Sequence, residues 1–126
     1  MNVTTFAQMQ NAINNAPINV QTTITVTASF NMTGRITIPA NKDIIIKSDG
    51  TVRTLTRASG VTGNLFTVNS DGTLAAENII IDGNKDAAMN VDGFLVRVES
   101  GGIFSLNTGA KLQNNTRTAA AATNRR

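Results

Sequence analysis

Apolar residues recur along this chain in an alternating pattern that repeats about every thirty residues. Each copy places apolar residues at positions i and i+2, which is the period of a β-strand with one buried face. One series comprises Ile36 and Ile38, Phe66 and Val68, and Val96 and Val98. A second comprises Ile44 and Ile46, Leu74 and Ala76, and Phe104 and Leu106, and a third comprises Ile79 and Ile81, then Ala110 and Leu112. A repeat of this length predicts a solenoid, because such a unit buries its apolar face only against its neighbours.

Three short strands in each repeat of about thirty residues predict an all-β chain, a parallel β-helix of about three coils. A leucine-rich repeat would need a leucine ladder and a helical return, and a propeller blade would need about forty residues or more. At the corners, we expect Gly72 and Gly102 to supply a positive φ. We expect Asn84, Asn114 and Asn115 to hydrogen-bond from coil to coil at another corner.

The first seventeen residues predict a short helix that covers the first coil. Thr5 and Gln8 have the spacing of a capping box, and Pro17 ends the segment. The apolar residues of this segment that share one helical face are Phe6, Met9 and Ile13. A helix of about ten residues does not persist alone, so it must dock on the coils. We therefore divide a single domain, 1–126, into a cap at 1–17, coils at 18–115 and a basic, alanine-rich tail at 116–126.

Composition excludes several kinds of function. The net charge is +3, and the surplus lies at Arg117, Arg125 and Arg126, without aromatic residues between them. We therefore expect no nucleic-acid partner. No stretch approaches the ~20 apolar residues of a membrane span. The chain has no cysteine and no histidine, which removes disulfides, the commonest general base and the commonest metal ligand.

Two groups of residues are candidates for binding. Asp82, Asn84 and Asp86 alternate as D-x-N-x-D, the spacing that opens many calcium loops, although Ala87 stands where an EF-hand has glycine. The alternative is a hydrogen-bonded corner, and no other cofactor is expected. Arg53 and Arg57 flank threonines and are candidates for contact with an acidic glycan. The alternative for them is a solvated pair balanced by nearby acids.

Residues 63–74 (GNLFTVNSDGTL) and 77–84 (ENIIIDGN) resemble right-handed β-helix regions of bacterial cell-surface, adhesin-like proteins. The segment from Val3 to Pro17 is similar to the capping segment of the pectate-lyase-like group. The resemblance implies a right-handed β-helix, a hand that parallel crossovers also favour. It further implies an extracellular or cell-surface location and a stalk or ligand-contacting rod that is part of a longer solenoid.

These features leave three functional hypotheses. The first is a non-catalytic structural or adhesive module whose side wall and loops, such as 82–93, contact a protein or a glycan. The second is a subunit that stacks head to tail into filaments, because an uncovered last coil presents unpaired backbone groups. The third is a remnant of a polysaccharide-active enzyme. We expect no enzyme, because glycoside hydrolysis generally needs two facing carboxylates and most acids here occupy turn contexts.

Overall fold

The computed structural model describes residues 1–86, 93–115 and 121–123. Strands make up 43% of the chain and the described residues contain one short helix, which confirms the predicted all-β class with a short helix. The helix, α1, spans Phe6–Asn15. The strands are β1 (Asn2–Val3), β2 (Gln21–Val26), β3 (Phe30–Met32), β4 (Ile36–Ile38), β5 (Asp43–Ser48), β6 (Arg53–Arg57), β7 (Phe66–Val68), β8 (Thr73–Glu77), β9 (Ile79–Asp82), β10 (Val96–Val98), β11 (Ile103–Leu106), β12 (Lys111–Gln113) and β13 (Ala121–Thr123).

The strands form three parallel sheets. Sheet A has the order β1-β2-β5-β8-β11, sheet B the order β3-β6-β9-β12, and sheet C the order β4-β7-β10-β13. From β2 onwards the chain passes through sheets A, B and C in that order four times. We call each passage a rung: β2–β4 is the first, β5–β7 the second, β8–β10 the third and β11–β13 the fourth.

The region predicted to form coils, 18–115, contains strands β2–β12. About three coils were predicted, whereas the strands make four passages, and β13 completes the fourth in the segment predicted to be a tail. In β13, Ala121–Thr123 pairs with Val96–Val98 of β10. The alanine-rich sequence lacks the apolar alternation that marks the other strands, whereas ladder pairing uses only backbone groups.

The inward positions of successive rungs lie in register. On sheet A, Ile24 pairs with Ile46, Ile46 with Ala76, and Ala76 with Leu106. Sheet C stacks Ile36, Phe66 and Val96 in the same way. The inward residues of the first three rungs join one buried cluster. Each fully buried aliphatic or aromatic side chain contributes about 1.5–3 kcal/mol, so these columns are the main source of cohesion.

Helix α1 packs its apolar face onto the first rung. The Thr5 hydroxyl accepts a hydrogen bond from the Gln8 backbone N–H at 3.2 Å, as the capping-box spacing predicts. The Gln8 side chain accepts from the Thr4 backbone N–H at 2.7 Å, one residue before the usual partner. Met9 and Ile13 are buried in the same cluster as the rungs.

A ladder of left-handed residues marks the corner that leads into sheet A. Asn19, Asn41, Asp71 and Gly101 have φ values of 61°, 69°, 68° and 89°. Each backbone N–H donates to the carbonyl of the next residue in this series, at 2.7, 2.9 and 3.1 Å. Asparagine, aspartate and glycine tolerate this conformation best, so the residue types match the backbone.

The prediction that Gly72 and Gly102 supply the positive φ is wrong, since the residue before each of them does so. These glycines are needed because the neighbouring backbone comes close. A Cβ at Gly72 would lie 2.9 Å from the carbonyl oxygen of Ile38, and one at Gly102 would lie 2.8 Å from that of Asn69.

Candidate functional site

A polar groove runs across the outer face of sheet C. It has a volume of about 300 Å³ and is lined by Arg35, Thr37, Asn64 and Thr67. Thr37 and Thr67 are register partners on β4 and β7, and their strand neighbours on both sides point into the core. The two threonines therefore face outward, one above the other. We call this feature the sheet C groove.

Arg35 brings a positive charge to the sheet C groove. Its guanidinium lies on Gly63, where an added Cβ would come within 2.8 Å of Nη1. Arg35 is exposed, and no hydrogen bond or ion pair joins it to another residue of the described part of the chain. With respect to the described residues, its donors are therefore free to bind a ligand.

Asn64 supplies a second kind of donor. Its Oδ1 accepts a hydrogen bond from the Phe94 backbone N–H at 2.8 Å, across one rung. This contact fixes the amide and leaves Nδ2 as a donor. Together with two threonine hydroxyls and one guanidinium, the groove is rich in hydrogen-bond donors and has no carboxylate among its lining residues.

The polar surface continues at both ends of the groove. Towards α1 it meets a smaller cavity of about 140 Å³, which Gln10 and Asn14 line together with Arg35 and Thr37. In the opposite direction, Arg97 of β10 is the register partner of Thr67. Its Nε lies 3.6 Å from a carboxylate oxygen of Glu99, so this second arginine is partly neutralised.

The structure places the predicted ligand residue Arg57 inside the protein, where its exposed fraction is 0%. Its Nη1 donates to the carbonyl oxygens of Val61 at 3.2 Å and Gly63 at 2.8 Å, and Nη2 donates to that of Phe94 at 3.5 Å. Burial lowers the pKa of Arg57, although a guanidinium keeps its proton. A buried guanidinium does not reach a glycan on the surface, so the position corrects that expectation for Arg57.

Arg53 is the first residue of β6, where its side chain is only partly buried. Its Nε and Nη2 donate to the two carboxylate oxygens of Asp49, each at 2.9 Å. The hydrogen bond from Arg53, assisted by one from the Thr51 backbone, lowers the pKa of Asp49. Two of the donor nitrogens of Arg53 are thus engaged by an acid, which is the arrangement that the sequence analysis gave as the alternative to glycan contact.

Asp82 and Asn84 form a hydrogen-bonded corner between the third and fourth rungs. Asp82 Oδ1 accepts from the Asn84 backbone N–H at 2.7 Å, and Oδ2 accepts from Gln113 at 3.0 Å and Asn114 at 2.9 Å. Burial acts to raise the pKa of Asp82, but these hydrogen bonds outweigh it and the pKa is lowered. The Asn84 side chain donates to the Arg57 carbonyl at 3.0 Å.

Amide donors face both oxygens of Asp82, and Asp86 is exposed beside the corner. The described residues contain no group of three acidic, histidine or cysteine residues that could hold a metal ion. Calcium binding at Asp82, Asn84 and Asp86 therefore stays a prediction. The last of the predicted corner residues, Asn115, donates from Nδ2 to the Gly93 carbonyl at 3.0 Å.

The residues of the sheet C groove were not among those predicted from the sequence to bind a ligand. The usable signal was the middle position of each apolar pair, which is outward by alternation and is threonine in both Thr37 and Thr67. Arg35 and Asn64 precede their strands by one and two residues, and no pattern in the sequence indicates that the turns bring them together.

Comparison of the chain with protein-family models, with curated proteins and with solved structures finds no match. Within the described residues, no helix is long and apolar enough to cross a membrane.

Proposed function

We propose that this protein is a right-handed parallel β-helix that acts, without catalysis, as an adhesive module of a bacterial surface protein. Four passages through the same three parallel sheets support the β-helix, and the strong right-handed bias of parallel crossovers supports its hand. The two segments that carry the resemblance to adhesin-like proteins contribute β7, β8 and β9.

The observation that carries a binding role is the exposed guanidinium of Arg35 in the sheet C groove, which has no partner among the described residues. A guanidinium binds carboxylate or sulfate through paired hydrogen bonds, and amide and hydroxyl donors suit the remaining oxygens of a sugar. The lining residues include no aromatic ring on which a sugar could stack. We therefore assign the groove to an acidic glycan held by charge and hydrogen bonds.

Calorimetric titration with an oligogalacturonate tests this assignment. In Arg35→Gln we expect affinity to fall at least about tenfold, because a hydrogen bond to a charged group contributes about 1.5–3 kcal/mol. We also expect wild-type binding to weaken with salt and a neutral cello-oligosaccharide to bind poorly.

The matched control is Lys47→Gln, which removes the same charge from the outer face of sheet A. Lys47 lies 4.0 Å from Glu77 in a half-exposed ion pair and is outside the groove. Equal losses of affinity in both variants would show that only net charge matters, and the groove assignment would fail.

Self-assembly is a second candidate function, and the fourth rung favours it. Leu106 is 50% exposed, although the residues below it in the same column, Ile24, Ile46 and Ala76, are buried. Because α1 and β1 cover the first rung, stacking head to tail would require their displacement. We therefore expect association through the fourth rung to stop at a dimer. Light scattering across a concentration range would show a doubled mass in that case, a constant mass if assembly is absent, and a continuous rise if filaments form.

A further inference from the structure

Arg57 occupies a position in the core whose neighbour across the sheet is apolar. It is the register partner of Met32 on the neighbouring strand, and Met32 is also fully buried. The described residues provide no carboxylate for Arg57, and its Nε has no hydrogen-bond partner. A buried charge without a counter-charge is costly, and apolar replacements of buried ionic groups are often neutral or stabilising. Cohesion of the core therefore does not explain an arginine here.

Arg57 instead contacts, from inside the protein, the backbone next to the sheet C groove. Its Nη1 binds the Gly63 carbonyl, and Nη2 reaches the Phe94 carbonyl in the next rung. Gly63 has the guanidinium of Arg35 on its outer side. The adjacent Asn64 accepts from the Phe94 backbone N–H. One buried guanidinium thus binds both Gly63, which contacts Arg35 and precedes Asn64, and Phe94, which holds the Asn64 amide.

We infer that Arg57 is a positioning residue, which fixes Gly63 and Asn64 against Phe94 and so presets the donors of the sheet C groove for an acidic ligand. The ligand-binding part of this inference rests on the proposed function, whereas the positioning part does not. Preorganised donors bind better because less freedom is lost when the ligand arrives.

Arg57→Met tests the inference by separating stability from binding. We expect urea unfolding to show unchanged or higher stability. Amide hydrogen exchange at Phe94 and Leu65 should accelerate at least about tenfold, because local opening governs exchange. Leu65 reports on the same contact because its N–H donates to the Phe94 carbonyl at 3.0 Å. Exchange at Asn69, which follows the other end of β7, should not change. Affinity for the oligogalacturonate should fall about tenfold.

Arg53→Met is the matched control, since it replaces a partly buried arginine at the start of the same strand. It removes the ion pair with Asp49 but touches neither Gly63 nor Phe94. We expect it to leave exchange at Phe94 and affinity for the oligogalacturonate as in the wild type.

Arg57→Lys provides a second variant, which keeps the charge but has one nitrogen in place of the guanidinium fork. We expect it to fold and to show faster exchange at Phe94, because the wild-type side chain binds the Gly63 and Phe94 carbonyls through two different nitrogens. Wild-type exchange at Phe94 in Arg57→Lys or in a folded Arg57→Met would overturn the inference, and so would loss of folding in Arg57→Met. If exchange accelerates as expected but the wild-type protein does not bind the oligogalacturonate, the proposed function fails and the positioning role stands.

Discussion

The first and fourth rungs differ in how far they bury the terminal residue of the same register column. Ile24 in the first rung and Leu106 in the fourth are the terminal members of one register series on sheet A. Ile24 is completely buried, whereas Leu106 is half exposed. The column is apolar to both of its ends, so the difference comes from what covers each end.

At the N-terminal end, three separate devices protect the first rung. Helix α1 packs apolar residues on it, β1 pairs with the outer edge of β2, and Lys42 binds the end of the helix. In the fourth rung, the described residues show no comparable cover over β11. The comparison teaches that capping of this stack comes from added elements, because the terminal rung keeps the apolar inward positions of an internal one.

The most direct test of this difference is to shorten the side chains at both ends of the column. We expect Ile24→Ala to lower the free energy of unfolding by about 2–5 kcal/mol, since it removes buried methylenes and leaves a cavity. Leu106→Ala should lower it by about 1 kcal/mol or less, because half of that side chain already contacts solvent. Urea unfolding of the two variants measures both values.

Ile46→Ala is the control for this pair, since Ile46 belongs to the same column and is buried between two rungs. It should behave like Ile24→Ala. A loss for Leu106→Ala as large as that for Ile24→Ala would show that the fourth rung is covered after all.

A smaller effect is expected from the lysine that holds α1 in place. Lys42 Nζ donates to the carbonyl oxygens of Ile13 and Asn14, at 2.8 and 2.7 Å, in the last turn of α1, where helix carbonyls have no i+4 partner within the helix. We expect Lys42→Met to lower the free energy of unfolding by about 1 kcal/mol, because these bonds and the helix dipole both favour a cation there. Thermal unfolding checks this, and Lys47→Met, in a half-exposed ion pair, should have less effect.

The smallest expected effect is a loosening of the fourth rung in acid. The pKa of Asp82 is lowered in the folded protein, so its contribution to stability is complete above the unfolded value, near 3.8, and is lost as pH falls through the folded value. Gln113 and Asn114 donate to this carboxylate from the fourth rung. Hydrogen exchange of the Gln113 backbone N–H should therefore accelerate below about pH 4. Exchange of the Met9 backbone N–H in α1 should not accelerate.

Asp82→Asn isolates the group in that experiment. The variant should exchange faster at Gln113 near neutral pH and should approach wild-type behaviour in acid, where the wild-type carboxyl is protonated. A constant difference across the pH range would show that Asp82 does not titrate in this window.

The regular part of the fold could be predicted from sequence because its signals are local and repeated. Apolar pairs such as Phe66 and Val68 marked the strands, and the spacing of Thr5 and Gln8 marked the start of α1. The first rung gave no thirty-residue signal, since Ile24 precedes its register partner Ile46 by less than that. The apolar residues of segment 51–57 give no clear strand phase, because Val52 and Leu55 do not face the same side of a strand. The strand starts at Arg53, which leaves Val52 outside and Leu55 inside.

The candidate site was less predictable, because the tertiary structure determines which residues come together there. The sequence pattern made Arg53 and Arg57 equivalent, whereas the structure puts Arg53 beside Asp49 at the start of β6 and Arg57 in the core at its end. Arg35 carried no signal of its own, and it gains its role from the approach of Gly63. Burial of a charged residue runs against composition rules, so Arg57 could only be recognised from the structure.

The connections between sheets differ in how much their lengths vary, and we expect the variable ones to accept inserted peptides. The links into sheet A, residues 39–42, 69–72 and 99–102, are equal in length. The links from sheet B to sheet C, residues 33–35, 58–65 and 83–95, are not. Because closure entropy grows slowly with loop length, foreign peptides inserted in those unequal links should be tolerated. They would be presented beside the sheet C groove, at rung-to-rung intervals of about 4.8 Å.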